Sequence, residues 1–203
     1  MTRSPINIIK NYVPESSLPI LQKWFEQRPF ELRIPKKRAS KFGDFRASTG
    51  MELPKISVNG NLNEYAFLIT LTHEFAHLLV WHQHKHHVKA HGTEWKNEFR
   101  RLMQVLLNRA IFPDRLTEIL RKHMINPAAS SARDEQLIKE LKRYDASNTA
   151  LHLSDLPEGA QFRLNNNRIF IKGKKRRTRY LCTELSSKRE YLVHGIAEVT
   201  PVG

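Results

Sequence analysis

The sequence predicts an α+β fold: a helical core with a few short strands on its N-terminal side, followed by a small C-terminal β unit. Three observations carry this. Apolar residues recur at helical spacing over several stretches between 13 and 144. An apolar run over 65–82 is too long for a strand. After about residue 150 the pattern changes to short β-rich segments punctuated by turn residues. The 203 residues are 40% hydrophobic, which suffices for one substantial domain and a smaller second unit. The expected division is a core over 1–125, a linker and helix over 126–150, and a small basic β unit over 151–203.

The elements follow in chain order. Leu18, Leu21, Trp24 and Phe25 set an amphipathic helix within 13–28 that ends near Arg28-Pro29. Phe30 to Ile34 alternates apolar and polar side chains, the mark of a strand, and Pro35 ends it. Phe45 and Ile56-Ser57-Val58 suggest two more strands, and Asn59-Gly60 is a turn. Asn61 with Glu64 three places on reads as a capping box for the helix over 65–82, whose composition marks it as buried on most sides. A His-rich loop over 83–92 leads to a helix over 93–108, with Trp95, Phe99, Leu102, Met103 and Leu106 on one side. Pro113-Asp114 opens a shorter helix, 126–131 reads as a linker, and 134–144 is helical again. Strands are expected around Phe162-Leu164, Ile169-Phe170-Ile171, Tyr180-Leu181-Cys182 and Tyr191-Leu192-Val193. The turns between them fall at Asn165-Asn166-Asn167 and Lys172-Gly173-Lys174.

Composition excludes several classes. A single cysteine, Cys182, rules out an intramolecular disulfide framework and a four-cysteine zinc ribbon. Cys182 itself reads as a small buried residue. There is no phosphate-binding glycine loop and no dinucleotide-binding glycine pattern. The first residues hold no apolar run of signal-peptide length, and the most apolar stretch is interrupted by His73, Glu74 and His77. The cytoplasm is therefore the expected compartment. The 34 Lys and Arg against 20 Asp and Glu give a net charge of +14, which favours polyanionic partners.

The sharpest chemical feature is His73-Glu74-Phe75-Ala76-His77. On a helix, positions i and i+4 share one face, so two imidazoles can grip one Zn²⁺ ion. Zn²⁺ lowers the pKa of a bound water to roughly 7, and the intervening carboxylate, Glu74, accepts its proton as the water attacks a peptide carbonyl. The plain alternative is a pair of hydrogen-bonded histidines on a core helix. A catalytic zinc takes three protein ligands. Val80 and Gln83 stand where a metzincin would carry Gly and His, so that pattern is excluded. The third-ligand candidates are His82, His84, His86, His87 and His91, with Glu94 and Glu98 as carboxylate rivals. His91 is favoured because Gly92 permits a sharp turn directly before the next helix.

His73-Glu74-Phe75-Ala76-His77 followed by His91-Gly92-Thr93-Glu94-Trp95 resembles the SprT-like metallopeptidases. The upstream Ser40-Lys41-Phe42-Gly43-Asp44-Phe45-Arg46 and Ile56-Ser57-Val58-Asn59 are similar to that family's approach to its motif helix. The resemblance covers about 15–125. It implies a zincin-like metallopeptidase core with one Zn²⁺ per chain, His73, His77 and His91 as ligands and Glu74 as catalytic base. It also implies protein or peptide substrates, including proteins crosslinked to DNA, which the family's eukaryotic members digest. The four-cysteine ribbon that often follows the core in this family is missing here.

Between 161 and 190 stand ten basic residues: Arg163, Arg168, Lys172, Lys174, Lys175, Arg176, Arg177, Arg179, Lys188 and Arg189. Only Glu184 and Glu190 oppose them. With Phe162, Phe170, Tyr180 and Tyr191 interleaved, this suits a nucleic-acid surface, with Lys172, Lys174, Lys175, Arg176, Arg177 and Arg179 as the contact residues. The bland counterpart is a solubilising hairpin whose aromatics face inward. Lys36, Lys37, Arg38, Lys41 and Arg46 form a second basic cluster that either extends the surface or is a solvated loop. The run His82, His84, His86, His87 reads as a solvated loop or an entry path more readily than as a second metal site. A second overall reading comes from another class: a nucleic-acid-binding protein with a closed, structural zinc site. It needs a fourth ligand, for which His84, His87 or Glu94 would serve.

Overall fold

The computed structural model describes residues 4–36, 41–48, 51–85, 87–127, 134–145 and 151–202. They form two compact units, Met1–Ala129 and Ser130–Gly203, and the architecture is mixed α+β.

The first unit opens with a short helix, α1 (Pro5–Ile9), then a 3-10 turn (Glu15–Ser17) running into α2 (Leu18–Gln27). The apolar stripe of α2 buries Leu21 and Trp24, and Trp24 stacks on Phe75 at 5.9 Å. Three strands follow: β1 (Glu31–Arg33), β2 (Gly43–Arg46) and β3 (Lys55–Val58), in the order β1-β3-β2, with β1 parallel and β2 antiparallel to β3. Side chains alternate across a strand. The register therefore puts Leu32, Ile56 and Phe45 in one row and Val58 beside Gly43 on the same face. That face meets α3 (Glu64–His84). The opposite face carries Glu31, Arg33, Asp44, Arg46 and Lys55, whose charges pair with one another and with Glu52.

Helix α3 buries Phe67, Leu68, Leu71, Phe75, Leu78 and Val80 among others, so its apolar residues point in several directions, as a helix covered on most sides requires. Its N-cap differs from expectation. Asn63, not Asn61, caps it: the Asn63 side chain accepts from the Ala66 N–H at 2.9 Å, because the first helical residue is Glu64 itself. The helix also continues through His84, so the loop begins at Lys85, which takes φ +53°. Helix α4 (Thr93–Asn108) packs on α3 through Trp95, Phe99, Leu102, Met103 and Leu106, the face anticipated from spacing. Helix α5 (Asp114–His123) starts after Pro113 and buries Leu116, Ile119, Leu120 and His123.

The second unit holds α6 (Glu135–Lys142) and six strands: β4 (Leu151–His152), β5 (Gln161–Arg163), β6 (Ile169–Arg176), β7 (Arg179–Glu184), β8 (Glu190–His194) and β9 (Glu198–Pro201). The sheet order is β4-β9-β5-β6-β7-β8, with every pairing antiparallel. Its core is Leu153, Leu156, Phe162, Phe170, Tyr180, Cys182 and Val199. Ion pairs Lys139–Asp155, Lys142–Glu198 and Lys175–Glu135 tie α6 to the sheet side of this unit. The expected turn at Lys172-Gly173-Lys174 is not one. These residues lie inside β6, where the register shifts between Lys172 and Lys175, and a Cβ on Gly173 would collide with the Leu181 carbonyl oxygen. The glycine marks a bulge. The true reversal falls at Arg177-Thr178. Strands β4 and β9, and helix α1, had no expected counterpart. The linker at 126–131 lies outside the described residues from 128 onward. Among the described residues no helix is long and apolar enough to cross a membrane.

Candidate metal centre

The site grows from α3 and the start of α4. His73 and His77 are one turn apart on α3, and Gly92, the N-cap of α4, sets His91 against them. The three Nε2 atoms converge: His77 and His91 are 3.0 Å apart, His91 and His73 are 3.3 Å apart. Among the described residues this trio is the one group of three or more candidate ligands whose donor atoms lie within 4.8 Å of one another. Burial first, and the neighbouring histidines second, push the His73 and His77 imidazoles down to about 3. Both rings are therefore neutral near pH 7 and each carries a lone pair.

The donor set fits zinc. Two nitrogens each about 2.0–2.1 Å from a tetrahedral ion are about 3.3 Å apart, close to the spacing of these rings. Three ring nitrogens facing one another cannot all be satisfied by hydrogen bonds among themselves, since each neutral imidazole has one N–H. A cation resolves that conflict.

Aromatic side chains build the walls. Trp95 is fully buried, and its ring lies 4.5 Å from His73, 5.4 Å from His77 and 4.8 Å from His91. Its indole N–H donates to the His73 carbonyl at 3.4 Å. Phe99 backs His73 at 5.6 Å. Phe45, on the inner face of β2, stacks nearly parallel to His77 at 6.3 Å. Glu74, only 7% exposed, points to the same strand: a Cβ built on Gly43 would come within 2.5 Å of Glu74 Oε1. The bare backbone at Gly43 thus gives the carboxylate its room.

The expected site residues fall into two groups. His73, His77 and His91 are brought to one place, while Glu74, on the same helix as the first two, turns its carboxylate toward Gly43 of β2. Of the other third-ligand candidates, His82, His84, His87, Glu94 and Glu98 do not join the cluster, and His86 lies outside the described residues. Sequence reasoning treated Trp95 as core only and missed Phe45, Gly43 and His123. Buried His123, at the end of α5, is close enough to His73 to lower its pKa further. Alternation on β2 placed Phe45 opposite Asp44 and Arg46, but no local signal aimed it at His77. Arg46 is engaged with Asp44 at 2.9 Å on the outer face, and Tyr65 packs on Phe112 at 6.1 Å. Of the second basic cluster, Lys41 also binds Asp44, at 2.6 Å, while Lys37 and Arg38 lie outside the described residues.

In the C-terminal unit two expectations change. Phe162, Phe170 and Tyr180 are buried and Tyr191 packs against the same core, so these rings offer no stacking surface. Lys172 is 4% exposed; its ammonium donates to the Leu156 carbonyl and lies over the Tyr180 ring at 4.1 Å. It is an internal cation, held there because β6 turns that side chain toward the core, and it leaves the basic surface. Lys174, Lys175, Arg176, Arg177 and Arg179 are exposed.

Two histidines one helical turn apart, completed by a histidine just before the next helix, make a trio that could hold a metal ion in an α+β fold. Residues 21–119, from α2 into α5, match the SprT-like family. That match suggests a metallopeptidase-like function and points to zinc for the histidine trio. Neither a curated protein nor a solved structure matches the chain.

Proposed function

We propose that this chain is a zinc-dependent peptidase in which His73, His77 and His91 hold the ion and Glu74 is the general base. The observation that carries the reading is the convergence of three half-buried ring nitrogens at 3.0 and 3.3 Å with no fourth His, Cys, Asp or Glu joining them among the described residues. A structural zinc would be closed by a fourth ligand; a catalytic one leaves a position open.

When bound, the ion supplies a Lewis acid that polarises a peptide carbonyl and makes water acidic enough to ionise near neutral pH. Glu74 takes the proton from the attacking water and passes it to the departing amine nitrogen. Gly43 leaves its carboxylate space, and Phe45 and Trp95 hold the imidazoles in place against rotation. The basic C-terminal unit supports proteins held on nucleic acid as the substrate class.

The test is Glu74→Gln. The variant is expected to retain zinc at the wild-type level and to lose cleavage of an unfolded protein substrate by a factor of about 10² or more. Cleavage that survives the change would remove Glu74 from the mechanism.

A further inference from the structure

We infer that the outer face of the sheet at the β6–β7 hairpin is a binding site for single-stranded nucleic acid. This site stands independently of the metal centre.

The register lines up three cationic or titratable side chains in one row: Arg176 opposite Arg179, and Arg179 opposite His194. Residues directly opposite on neighbouring strands share a face with Cβ atoms about 5 Å apart. Like charges in that relation are destabilising. Arg176, Arg177 and Arg179 have no acidic partner among the described residues, whereas Lys175 nearby is paired with Glu135 and Arg168 with Glu184. The reversal adds a second cost. Arg177 takes φ +56°, a left-handed conformation in which glycine or asparagine is far easier. Strain and like-charge crowding thus coincide on one spot, as they do where function overrides stability.

The same spot is concave. A cavity of about 720 Å³ is lined by Arg176, Arg177, Thr178, Arg179, Leu192 and His194. The next row on this face is apolar, Leu181 opposite Leu192, and Leu192 is 51% exposed. Guanidinium forks match phosphate oxygens in pairs. A cationic row beside an apolar row suits a chain that carries phosphates on one side and unpaired bases on the other. An acidic peptide offers no use for the leucines. A lipid surface is flat, and one half-exposed leucine gives it little to hold. With the aromatic rings buried, recognition falls on the backbone, so binding should vary little with sequence and strongly with salt.

The experiment uses the full chain and a fluorescein-labelled 20-mer, with binding followed by anisotropy from 50 to 300 mM NaCl. A duplex of the same length and polyglutamate serve as competitors. For single strands, log K falls with log salt by about 0.7 for each phosphate contact. The doubly neutralised variant Arg176→Gln/Arg179→Gln is expected to bind at least about ten-fold more weakly at 100 mM salt and to lose about 1.4 from that slope. Leu192→Ala should weaken binding with the slope unchanged. Arg177→Gly removes a charge while relieving the turn, so it should melt no earlier than wild type and still bind more weakly, which separates lost contacts from lost folding. Glu74→Gln should bind as wild type does, so failure of the peptidase reading leaves this result readable. An unchanged slope in the double variant, competition by polyglutamate equal to that of the strand, tighter binding of the duplex, or no binding at 50 mM salt would each overturn the proposal.

Discussion

Gly43 and Glu74 stand thirty-one positions apart in the chain, and each constrains the other. A methyl group at position 43 would meet Glu74 Oε1 at 2.5 Å and Thr70 Cγ2 at 2.7 Å, so the carboxylate must turn away. Gly43→Ala is therefore expected to keep zinc and fold while turnover drops by about a hundredfold with KM little changed, the effect of a small misplacement of a reacting group. Wild-type turnover in that variant would show that the strand does not position Glu74. A second residue-scale prediction concerns acid. Arg168 and Ser187 hold the buried Glu184 carboxyl down to about 2, below its ordinary 4.5. A carboxyl with a depressed folded pKa stabilises the protein above its unfolded pKa, and that stabilisation is lost as pH falls from 4.5 toward 2. Urea melts should thus lose less stability between pH 6 and pH 3 in Arg168→Gln than in wild type; equal losses would contradict the pairing. The histidines were legible in the sequence because their spacing is local: one helical turn, then a glycine before a helix. The roles of Gly43, Phe45 and Trp95 were not, because each depends on contacts between residues distant in sequence.

Among the elements, α3 positions two of the three histidines and Glu74. Its first turn is capped by Asn63, so Asn63→Ala should destabilise the first unit by about 1 kcal/mol, read as a lower thermal midpoint. An unchanged midpoint would mean that the cap adds nothing to a helix already fixed by packing. Helices α2 to α5 could be read from apolar period alone, since each buries one stripe or, for α3, nearly its whole surface. The cap of α3 was misplaced by two residues because Asn61 and Asn63 are both good caps, and the choice between them is made where the chain leaves β3. Strand β6 was cut short in the sequence reading because Lys-Gly-Lys has turn chemistry. The glycine serves instead a bulge where backbone passes backbone, which only pairing with β7 defines. Two-residue β4 carries too few side chains to show a period, and both it and β9 are defined by their pairing.

For the whole molecule, the net charge of +14 and the two units set the frame. Composition pointed to a polyanionic partner, and the structure withdraws Lys172 from the exposed basic residues of the C-terminal unit. The proposed zinc site lies in the first unit, and removal of the ion should be felt as stability. At free zinc a hundredfold above its Kd, binding adds about 2.7 kcal/mol. A chelator should therefore lower the thermal midpoint of the wild type, zinc should restore it, and His73→Ala should be insensitive to both. The most direct test of the central claim is zinc per chain in the purified protein, measured beside His91→Ala. About one zinc in the wild type and far less in the variant is the result this account requires. A folded wild type that takes up no zinc when resupplied, or a His91→Ala variant that holds as much as the wild type, would contradict it.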